Sequence, residues 1–397
     1  MGDDRYVNKG FGLKQAIGGQ LVRDYHSEVV DRMRAEGFRL DAGGVTFRLA
    51  QEFGFCYGVD RAVEYAYETR EKFPERRIFI TGEIIHNPGV NQRLQDMGIR
   101  FLDGRDGDAT YDGLRDEDVV LLPAFGVPLD QMALLRRKNC ILVDTTCGSV
   151  LNVWKNVDKY ARDGFTALIH GKYDHEETRA TASRATKHPE GHSIVVRDME
   201  EAWAVCEQIE LRGDRERFLA RFARALSPGF DPDHHLERIG CANQTTMLSS
   251  ESLAIAGTIR AAMERRFGPE ETAKRFRSFD TICSATQERQ DAVHALLREH
   301  TLDLMLVIGG YNSSNTTHLV EIAAERVPAF HIQTVECVED ARSLRHQPLG
   351  SRVESIARDW LPEGAVVVGV TAGASTPNSE IGKVVGKIAS FRGVTVA

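Results

Sequence analysis

The sequence predicts an α/β fold with three similar α/β domains, mostly parallel sheets and an N-terminal helical arm. Short apolar strand-like runs alternate with helix-like segments from Val45 onward, which is typical of βαβ units whose sheets are covered on both faces. The segments that begin near Val45, Ile141 and Phe279 each start with a strand-like run that ends in a cysteine. A unit repeated about a pseudo-threefold axis would bring these strand ends to one point.

The elements follow one another along the chain. We predict helices over residues 59–69 and about 90–97. Strands are predicted over residues 45–49, 77–81, 118–123, 140–144, 167–170, 193–196, 302–309 and 365–371. Ligands bind at the carboxyl ends of strands in parallel sheets, and the polar motifs of this chain follow such strand ends.

Residues 1–44 are predicted to form an N-terminal arm. The spacing of its apolar residues predicts one helix over about 20–36 that packs on the body of the protein. The residues on the packed face are Val22, Tyr25, Val29 and Met33. A helical extension without chemistry is the simplest interpretation of this arm.

Three α/β domains are predicted after the arm. They cover residues 45–146, 147–279 and 280–397, and the strand within 45–56 can instead pack with the third domain. The second domain contains an inserted segment, 207–240, that is rich in Arg, Asp and Glu and is predicted to be a surface helix and loop. Its His234-His235 pair is interpreted as solvated, because adjacent side chains rarely converge on one metal ion.

Composition argues against several functional classes. A chain of 397 residues is long enough for two or three domains with separate cores. The formal net charge of −8 argues against binding to nucleic acid or to a membrane surface. No apolar run approaches the roughly 20 residues of a membrane helix, and no signal peptide is evident. We therefore expect a cytoplasmic protein whose seven cysteines are reduced.

Three cysteines share one local setting. Cys56, Cys147 and Cys283 each follow a strand-like run and precede a helix-like one. Three thiols presented alike suggest one metal site with an open position for substrate. An iron–sulfur cluster, zinc and buried core cysteines all remain possible, although the absence of Cys-x-x-Cys disfavours structural zinc. The other cysteines have unrelated contexts and are interpreted as core residues: Cys140, Cys206, Cys241 and Cys337.

A second group places imidazoles beside carboxylates. It runs from His170 through His175 to Glu176 and Glu177, directly after a predicted strand. A carboxylic acid that is shielded from water has a raised pKa and can deliver a proton near neutrality. The alternative is an ordinary helix start, where the helix dipole favours Glu.

A third group consists of hydroxyl and amide side chains after strand ends. It comprises residues 243–246, 309–318 and 371–377. Together with backbone N–H groups at helix starts, these side chains suit a phosphate or diphosphate, whereas the motif for a nucleoside triphosphate is absent. Helix capping is the alternative. His86, in Glu83-Ile-Ile-His86, either binds an anion or is a structural turn residue.

Taken together, these segments resemble the 4-hydroxy-3-methylbut-2-enyl diphosphate reductase (LytB/IspH) family of the non-mevalonate isoprenoid pathway. The resemblance runs from about Val45 to Lys387, with the motifs in the family's order. They are Gly54-Phe-Cys56-Tyr-Gly-Val-Asp60-Arg-Ala, Asp144-Thr-Thr-Cys147, Gln244-Thr245-Thr, Asp280-Thr-Ile-Cys283, Asn312-Ser-Ser-Asn315 and Val370-Thr-Ala-Gly-Ala-Ser375. The N-terminal Asn8-Lys-Gly-Phe-Gly12 and the Glu-Glu pair after His175 are similar to the longer branch found in cyanobacteria, plants and some other bacteria.

The resemblance implies a reductive dehydroxylation that gives isopentenyl and dimethylallyl diphosphates. It implies that Cys56, Cys147 and Cys283 hold a [4Fe–4S] cluster at the centre of the three domains, with one open iron for the substrate alcohol. Glu177 falls on the proton-relay position, and Thr245 on the threonine near the substrate alcohol. The diphosphate-binding positions are His86, His175, Ser313, Ser314, Asn315 and Ser375. A ferredoxin or flavodoxin is the expected electron donor.

The chain departs from the family pattern at two places. Phe125 stands where the shorter bacterial enzymes carry a histidine that helps to hold the diphosphate, so one ligand is missing or replaced. Glu177 aligns with the relay position only after a shift of one residue relative to that branch. Glu176 is therefore the alternative proton donor.

Three other functions fit the same motifs. A cluster-dependent hydro-lyase would remove water without net electron transfer, and turnover without a reductant would identify it. An iron–sulfur sensor would bind but not turn over. A zinc hydrolase would be identified by metal analysis.

Overall fold

The computed structural model describes residues 5–107, 109–279 and 281–396. Residues 1–4 of the predicted arm and Asp280 of the third cysteine motif lie outside the described residues. The helices are α1 (Lys14–Tyr25), α2 (Glu28–Ala35), α3 (Tyr57–Lys72), α4 (Pro88–Asp96), α5 (Leu129–Arg137), α6 (Gly148–Arg162), α7 (Glu176–Ala185), α8 (Met199–Ile209), α9 (Arg215–Arg221), α10 (Pro232–His235), α11 (Ser249–Phe267), α12 (Pro269–Arg275), α13 (Ser284–Glu299), α14 (Ser314–Ala324) and α15 (Asn378–Ser390).

The strands alternate with these helices along most of the chain. They are β1 (Tyr6–Val7), β2 (Arg39–Ala42), β3 (Val45–Leu49), β4 (Ile78–Ile80), β5 (Ile99–Phe101), β6 (Val119–Leu122), β7 (Ile141–Asp144), β8 (Thr166–His170), β9 (Ser193–Val196), β10 (Ile239–Asn243), β11 (Phe276–Ser278), β12 (Leu304–Ile308), β13 (Ala329–Ile332), β14 (Ser343–His346), β15 (Ser355–Arg358) and β16 (Val366–Ala372). The α/β fold class with mostly parallel sheets is therefore confirmed. Among the described residues, no helix combines the length and apolarity needed to cross a membrane.

The chain forms two compact units, and the first contains Arg5, Tyr6 and residues 110–283. Its four-stranded sheet has the order β11-β10-β8-β9, with each pair parallel. Asn243 at the end of β10 lies opposite His170 at the end of β8, so the segments that follow both strands emerge at one edge. In the same unit β6 and β7 pair in parallel, and Leu122 lies opposite Asp144. In both sheets, the register therefore aligns the ends of neighbouring strands, and the polar segments that follow these strands begin side by side.

The described residues of the second unit are 7–107, 109 and 284–396. Its five-stranded sheet has the order β13-β12-β16-β3-β2. The first three neighbouring pairs are parallel, and the edge strand β2 pairs antiparallel with β3. Ile308 lies opposite Ala372 at the ends of β12 and β16. The polar segments 309–318 and 371–377 therefore meet at one sheet edge. The unit also holds the parallel pair β4–β5 and the antiparallel pair β14–β15. The predicted boundaries of three separate domains stay a prediction.

The single arm helix predicted over 20–36 is wrong. α1 ends at Tyr25, and α2 begins after Ser27, whose hydroxyl accepts a hydrogen bond from Val30 N at 3.3 Å. Because Ser27 is extended and caps a new helix, the apolar spacing does not continue through it. Val22 is 60% exposed, whereas Met33 is buried. The predicted apolar face is therefore divided between two helices.

The prediction that segment 207–240 is only a surface helix and loop is also wrong. Phe218, Phe222 and Phe230 are buried in the hydrophobic core of the first unit. The sequence did not reveal that these phenylalanines are buried, because charged residues stand between them. Of the predicted solvated pair, His234 is exposed, but the ring of His235 stacks on His192 with 3.7 Å between centroids.

Replacement of Phe222 by alanine is therefore expected to lower the free energy of unfolding by about 3–5 kcal/mol, the usual cost of removing a buried aromatic ring. Denaturant unfolding of Phe222→Ala would measure this cost. Leu253→Ala is the control, because Leu253 is 56% exposed and should change stability by less than about 0.5 kcal/mol. Equal effects of the two substitutions would mean that the segment adds nothing to the core.

Candidate functional site

The three cysteines that share a sequence context also share a structural position. Cys56 is the N-cap residue of α3, Cys147 is the N-cap residue of α6, and Cys283 directly precedes α13. Backbone N–H groups and the helix dipole stabilise negative charge at such positions, and cysteines there have lowered thiol pKa values in many proteins. All three cysteines therefore lie at the start of a helix, as their shared sequence context predicts.

Burial separates these three cysteines from the other four. Cys56, Cys147 and Cys283 are partly exposed, whereas the remaining cysteines are buried, and none of the seven, all of which are described, is in a disulfide bond. Burial raises the pKa of the Cys206 thiol to about 11 and that of Cys241 to about 12. Cys206 and Cys241 therefore stay protonated, which makes them poor metal ligands, as expected for core cysteines.

The two adjacent glutamates at the start of α7 lie in different environments. Glu176 is exposed, but Glu177 is only 1% exposed. His175 is the N-cap residue of α7, and its Nδ1 accepts a hydrogen bond from Glu177 N at 3.1 Å. The Glu177 carboxylate accepts hydrogen bonds from Thr245 N at 2.6 Å and from Thr245 Oγ1 at 2.9 Å. Glu177 is thus the glutamate that is held in a fixed, shielded position.

Thr245 also contacts one of the three cysteine positions. Its carbonyl oxygen accepts a hydrogen bond from Cys283 N at 3.4 Å. The preceding residue, Gln244, fixes the loop, because its Oε1 accepts from Thr178 Oγ1 at 3.0 Å and from Lys172 N at 3.1 Å. In the first unit, Thr245 therefore contacts both the buried Glu177 carboxylate and the backbone of Cys283.

Phe125 lies in the same unit, next to His175 and near Cys147. Its ring meets the His175 ring edge to face, with 5.4 Å between centroids. The preceding residue, Ala124, accepts a hydrogen bond from Cys147 N at 2.9 Å through its carbonyl oxygen. The phenyl ring cannot bind an anion through a ring N–H, but it packs against a histidine that can.

The second unit brings Cys56 next to the hydroxyl and amide side chains of segments 309–318 and 371–377. The carbonyl oxygen of Ala374 accepts a hydrogen bond from Cys56 N at 3.2 Å, and Ala374 N donates to Asn315 Oδ1 at 2.9 Å. Ser313 is the N-cap residue of α14, and its hydroxyl accepts from Thr316 N. The buried residues at this helix start are Ser313, Ser314 and Asn315. A helix N-terminus of this composition suits an anion.

One buried donor at this helix start has no protein acceptor. Asn315 is 2% exposed, and its Nδ2 has no hydrogen-bond partner within the described ranges 5–107, 109–279 and 281–396. A buried donor without an acceptor is costly. The atom therefore indicates a ligand at this helix start.

His86 lies in the same unit and contacts this group. Its carbonyl oxygen accepts a hydrogen bond from Ser375 Oγ at 3.0 Å. Its Nδ1 lies 3.0 Å from Glu83 Oε2, and Asn312 Nδ2 donates to the same carboxylate oxygen at 2.7 Å. The sequence reasoning missed Glu83 as a partner of His86. The spacing of three residues before an imidazole was the signal that could have identified it.

The described residues of the candidate site fall into two sets, one in each unit. The first unit brings together Cys147, His175, Glu177, Thr245 and Cys283. The second unit brings together Cys56, His86, Ser313, Ser314, Asn315 and Ser375. A parallel α/β fold that carries thiols, a buried acid and clustered hydroxyl and amide side chains at its strand ends is characteristic of an enzyme with a metal or cofactor centre.

Comparisons with known proteins define the family. The family model described as LytB protein matches residues 47–389. A protein of Gloeobacter violaceus named 4-hydroxy-3-methylbut-2-enyl diphosphate reductase is 51% identical, over 99% of this chain and 94% of its own length. A protein of Thermosynechococcus vestitus with the same name is 48% identical, over 98% and 96%. The chain therefore belongs to the LytB protein family, which confirms the resemblance seen in the sequence.

A solved structure supports the same assignment. It is titled as the structure of (E)-4-hydroxy-3-methyl-but-2-enyl diphosphate reductase, the terminal enzyme of the non-mevalonate pathway. The match has a TM-score of 0.52 and 27% identity, and it covers 87% of this chain and 99% of that one. The fold of this chain is thus the fold of that reductase.

Proposed function

We propose that the protein is a 4-hydroxy-3-methylbut-2-enyl diphosphate reductase. It removes the substrate hydroxyl reductively and gives isopentenyl and dimethylallyl diphosphates, the last step of the non-mevalonate pathway. Family membership and the names of the relatives support the reaction. The observation in the structure that carries the proposal is the contact of buried Glu177 with Thr245, which in turn contacts the Cys283 backbone.

The donor set fits an iron–sulfur cluster. Of the seven cysteines, all of which are described, only Cys56, Cys147 and Cys283 are partly exposed, and all three lie at helix starts. We assign these three residues as the ligands of a [4Fe–4S] cluster with one iron that has no protein ligand. When bound, the cluster supplies electrons and a Lewis-acidic iron. Cys140, Cys206, Cys241 and Cys337 play no part in it.

The hydroxyl and amide group binds the diphosphate of the substrate. Ser313, Ser314 and Asn315 present hydroxyls, an amide and backbone N–H groups at the start of α14. The Asn315 Nδ2 atom that has no acceptor among the described residues donates to a phosphate oxygen. The other ligands are His86, His175 and Ser375. Anchoring the diphosphate far from the hydroxyl orients the reacting end of the substrate.

Glu177 supplies protons to the reaction. Loss of the hydroxyl as water consumes an electron pair, one proton at the departing oxygen and one proton at carbon. Glu177 is shielded from solvent and contacts the Thr245 hydroxyl at 2.9 Å, so that hydroxyl can pass a proton between the acid and the substrate oxygen. Reducing equivalents come from a ferredoxin or flavodoxin.

The Thr245 hydroxyl is expected to contribute strongly to turnover. Thr245→Val keeps the size of the side chain but removes the hydrogen bond to Glu177, and hydrogen bonds to charged groups contribute about 1.5–3 kcal/mol. We expect kcat to fall roughly tenfold to a hundredfold, measured under anaerobic conditions with excess reductant. Thr245→Ser retains the hydroxyl and should keep most of the activity. A valine variant as active as the serine variant would remove Thr245 from the proton path.

An anaerobic assay tests the proposed function. The reconstituted protein, a chemical reductant and the hydroxylated diphosphate are mixed, and the products are identified by mass spectrometry. The expected result is both dehydroxylated diphosphates, and neither without reductant. Product that forms equally well without reductant would identify a hydro-lyase, and substrate binding without any product would identify a sensor.

A further inference from the structure

The hairpin formed by β14 and β15 has one open edge. The two strands pair antiparallel, with Arg345 opposite Ile356, and form a sheet of their own. Within residues 5–107, 109–279 and 281–396, no strand pairs with the other edge of β15. The strand contains no Pro or Lys, the residues that commonly protect an edge. β15 can therefore accept a further strand.

The hydrogen-bond pattern of the hairpin shows which backbone groups face the open edge. Asp359 N, one residue beyond β15, donates to the Arg342 carbonyl oxygen at 2.7 Å. In an antiparallel pair, successive residues direct their N–H and C=O groups alternately toward the partner strand and away from it. Glu354, Ile356 and Arg358 therefore direct these groups away from β14, toward the open edge.

The side chains of the same three residues lie on the outer face of the hairpin. Leu344 is buried in the core of the second unit, and Ala357, which lies opposite it, packs against that core. Because side chains alternate between the two faces of a strand, Glu354, Ile356 and Arg358 share the other face. All three are exposed.

Exposed apolar residues are concentrated at this hairpin. Leu349 and Val353 lie in the turn between the strands, and Ile356 lies on β15 itself. All three side chains are exposed. Exposed apolar side chains next to an open strand edge are typical of a surface that another chain covers.

Opposite charges flank Ile356 on this face. The Glu354 carboxylate is held in place, because it accepts a hydrogen bond from Tyr311 Oη at 2.9 Å and lies 3.2 Å from Arg345 Nη1. Arg358 donates through one nitrogen to Ser343 Oγ at 2.7 Å, and a guanidinium has five N–H donors in all. The acid and the base stand two residues before and two residues after Ile356.

We propose that β15 is the interface of a homodimer, in which two copies of this strand pair antiparallel about a two-fold axis at Ile356. The two Ile356 residues then form a hydrogen-bonded pair, and Glu354 of each copy lies opposite Arg358 of the other. A shift of the register by two residues in either direction separates these charges. The strand is therefore complementary to itself in backbone groups, apolar side chains and charge, as a two-fold interface requires.

Sedimentation velocity of the anaerobically purified protein tests the proposal without substrate, so the result does not depend on the proposed reaction. The paired surface is small, and we expect a dissociation constant on the order of 1–100 µM. Monomer should convert to dimer as the protein concentration rises through this range. A parent protein that stays monomeric throughout it would overturn the proposal.

Charge reversal tests the register. Arg358→Glu places like charges opposite each other at both ends of the paired strands, and so does Glu354→Arg, so each variant alone should raise Kd about tenfold or more. An equimolar mixture of the two variants should dimerise again, because every acidic side chain then faces a basic one. Arg298→Glu is the control, since Arg298 is exposed on α13, and it should dimerise like the parent. Variants that dimerise alone, or a mixture that stays monomeric, would overturn the proposal.

A substitution on the two-fold axis leaves both charged residues in place. Ile356→Lys puts two ammonium groups opposite each other, and lysine on an edge strand opposes pairing. We expect a monomer at concentrations at which the parent is a dimer. Val22→Lys is the matched control, because Val22 is an exposed apolar residue of α1. A dimer that persists in Ile356→Lys, or an equal loss in Val22→Lys, would overturn the proposal.

Discussion

Replacement of Glu177 by glutamine is expected to lower kcat about a thousandfold, within the usual range for loss of a general acid. The amide has the size of the carboxyl group and can still bond to both Thr245 atoms, which lie 2.6 and 2.9 Å from the carboxylate oxygens. The fold should therefore persist. Proton transfer is lost because an amide does not release a proton at neutral pH. Anaerobic steady-state kinetics and iron content measure the two effects separately.

The neighbouring glutamate provides the matched control. Glu176 precedes Glu177 on α7 but is exposed, whereas Glu177 is buried. Glu176→Gln should keep kcat within about tenfold of the parent enzyme. The reverse outcome, with Glu176→Gln inactive and Glu177→Gln active, would transfer the acid role to Glu176. Glu176, without the one-residue shift that aligns Glu177, would then occupy the proton-relay position.

Replacement of any one of the three partly exposed cysteines by serine is expected to abolish turnover and to remove more than half of the bound iron and sulfide. Cys56, Cys147 and Cys283 lie at helix starts and are partly exposed, unlike the other four cysteines. Serine oxygen is a harder ligand than cysteine sulfur, and the serine hydroxyl is far less acidic than a thiol, so it loses its proton to bind a metal much less readily. Iron, sulfide and the visible absorption spectrum after anaerobic reconstitution measure the loss.

Cys206→Ser is the control for this set. Cys206 is buried, and its sulfur lies 3.6 Å from the Thr258 carbonyl oxygen, so a serine hydroxyl there has an acceptor. Iron and sulfide content should stay at the parent level, because burial raises the pKa of this thiol to about 11 and keeps it protonated. Loss of the cluster spectrum from Cys206→Ser alone would contradict the assignment of the ligands.

Much of the sheet structure could be predicted from apolar runs. Strands such as Leu304–Ile308 and Val366–Ala372 are buried and rich in branched apolar residues, which gives them a clear signal. Ile239–Asn243 was missed because its middle residues are small. Gly240 occurs there because a Cβ atom would lie 2.5 Å from the Tyr160 ring. That requirement arises from packing between distant segments and is not visible locally.

The site was predictable only where its residues follow strand ends. Cys147, His175 and Ser313 each lie between a strand and a helix, which is the pattern that the sequence reveals. Glu83 and Gln244 stand in motifs that the sequence reveals, but their contacts with other loops were not predictable, because those contacts are made by side chains across distant segments. The difference between Glu176 and Glu177 also depends on burial, which adjacent positions in a sequence do not show.

The most direct measurement of the proposed reaction is the number of electrons consumed for each product molecule. Anaerobic protein with a full cluster is titrated with a reductant of known concentration in the presence of excess hydroxylated diphosphate. We expect about two electrons for each dehydroxylated product and no product before reductant is added. Product that forms without electron consumption, or electrons consumed without product, would contradict the assignment of this chain as a reductase.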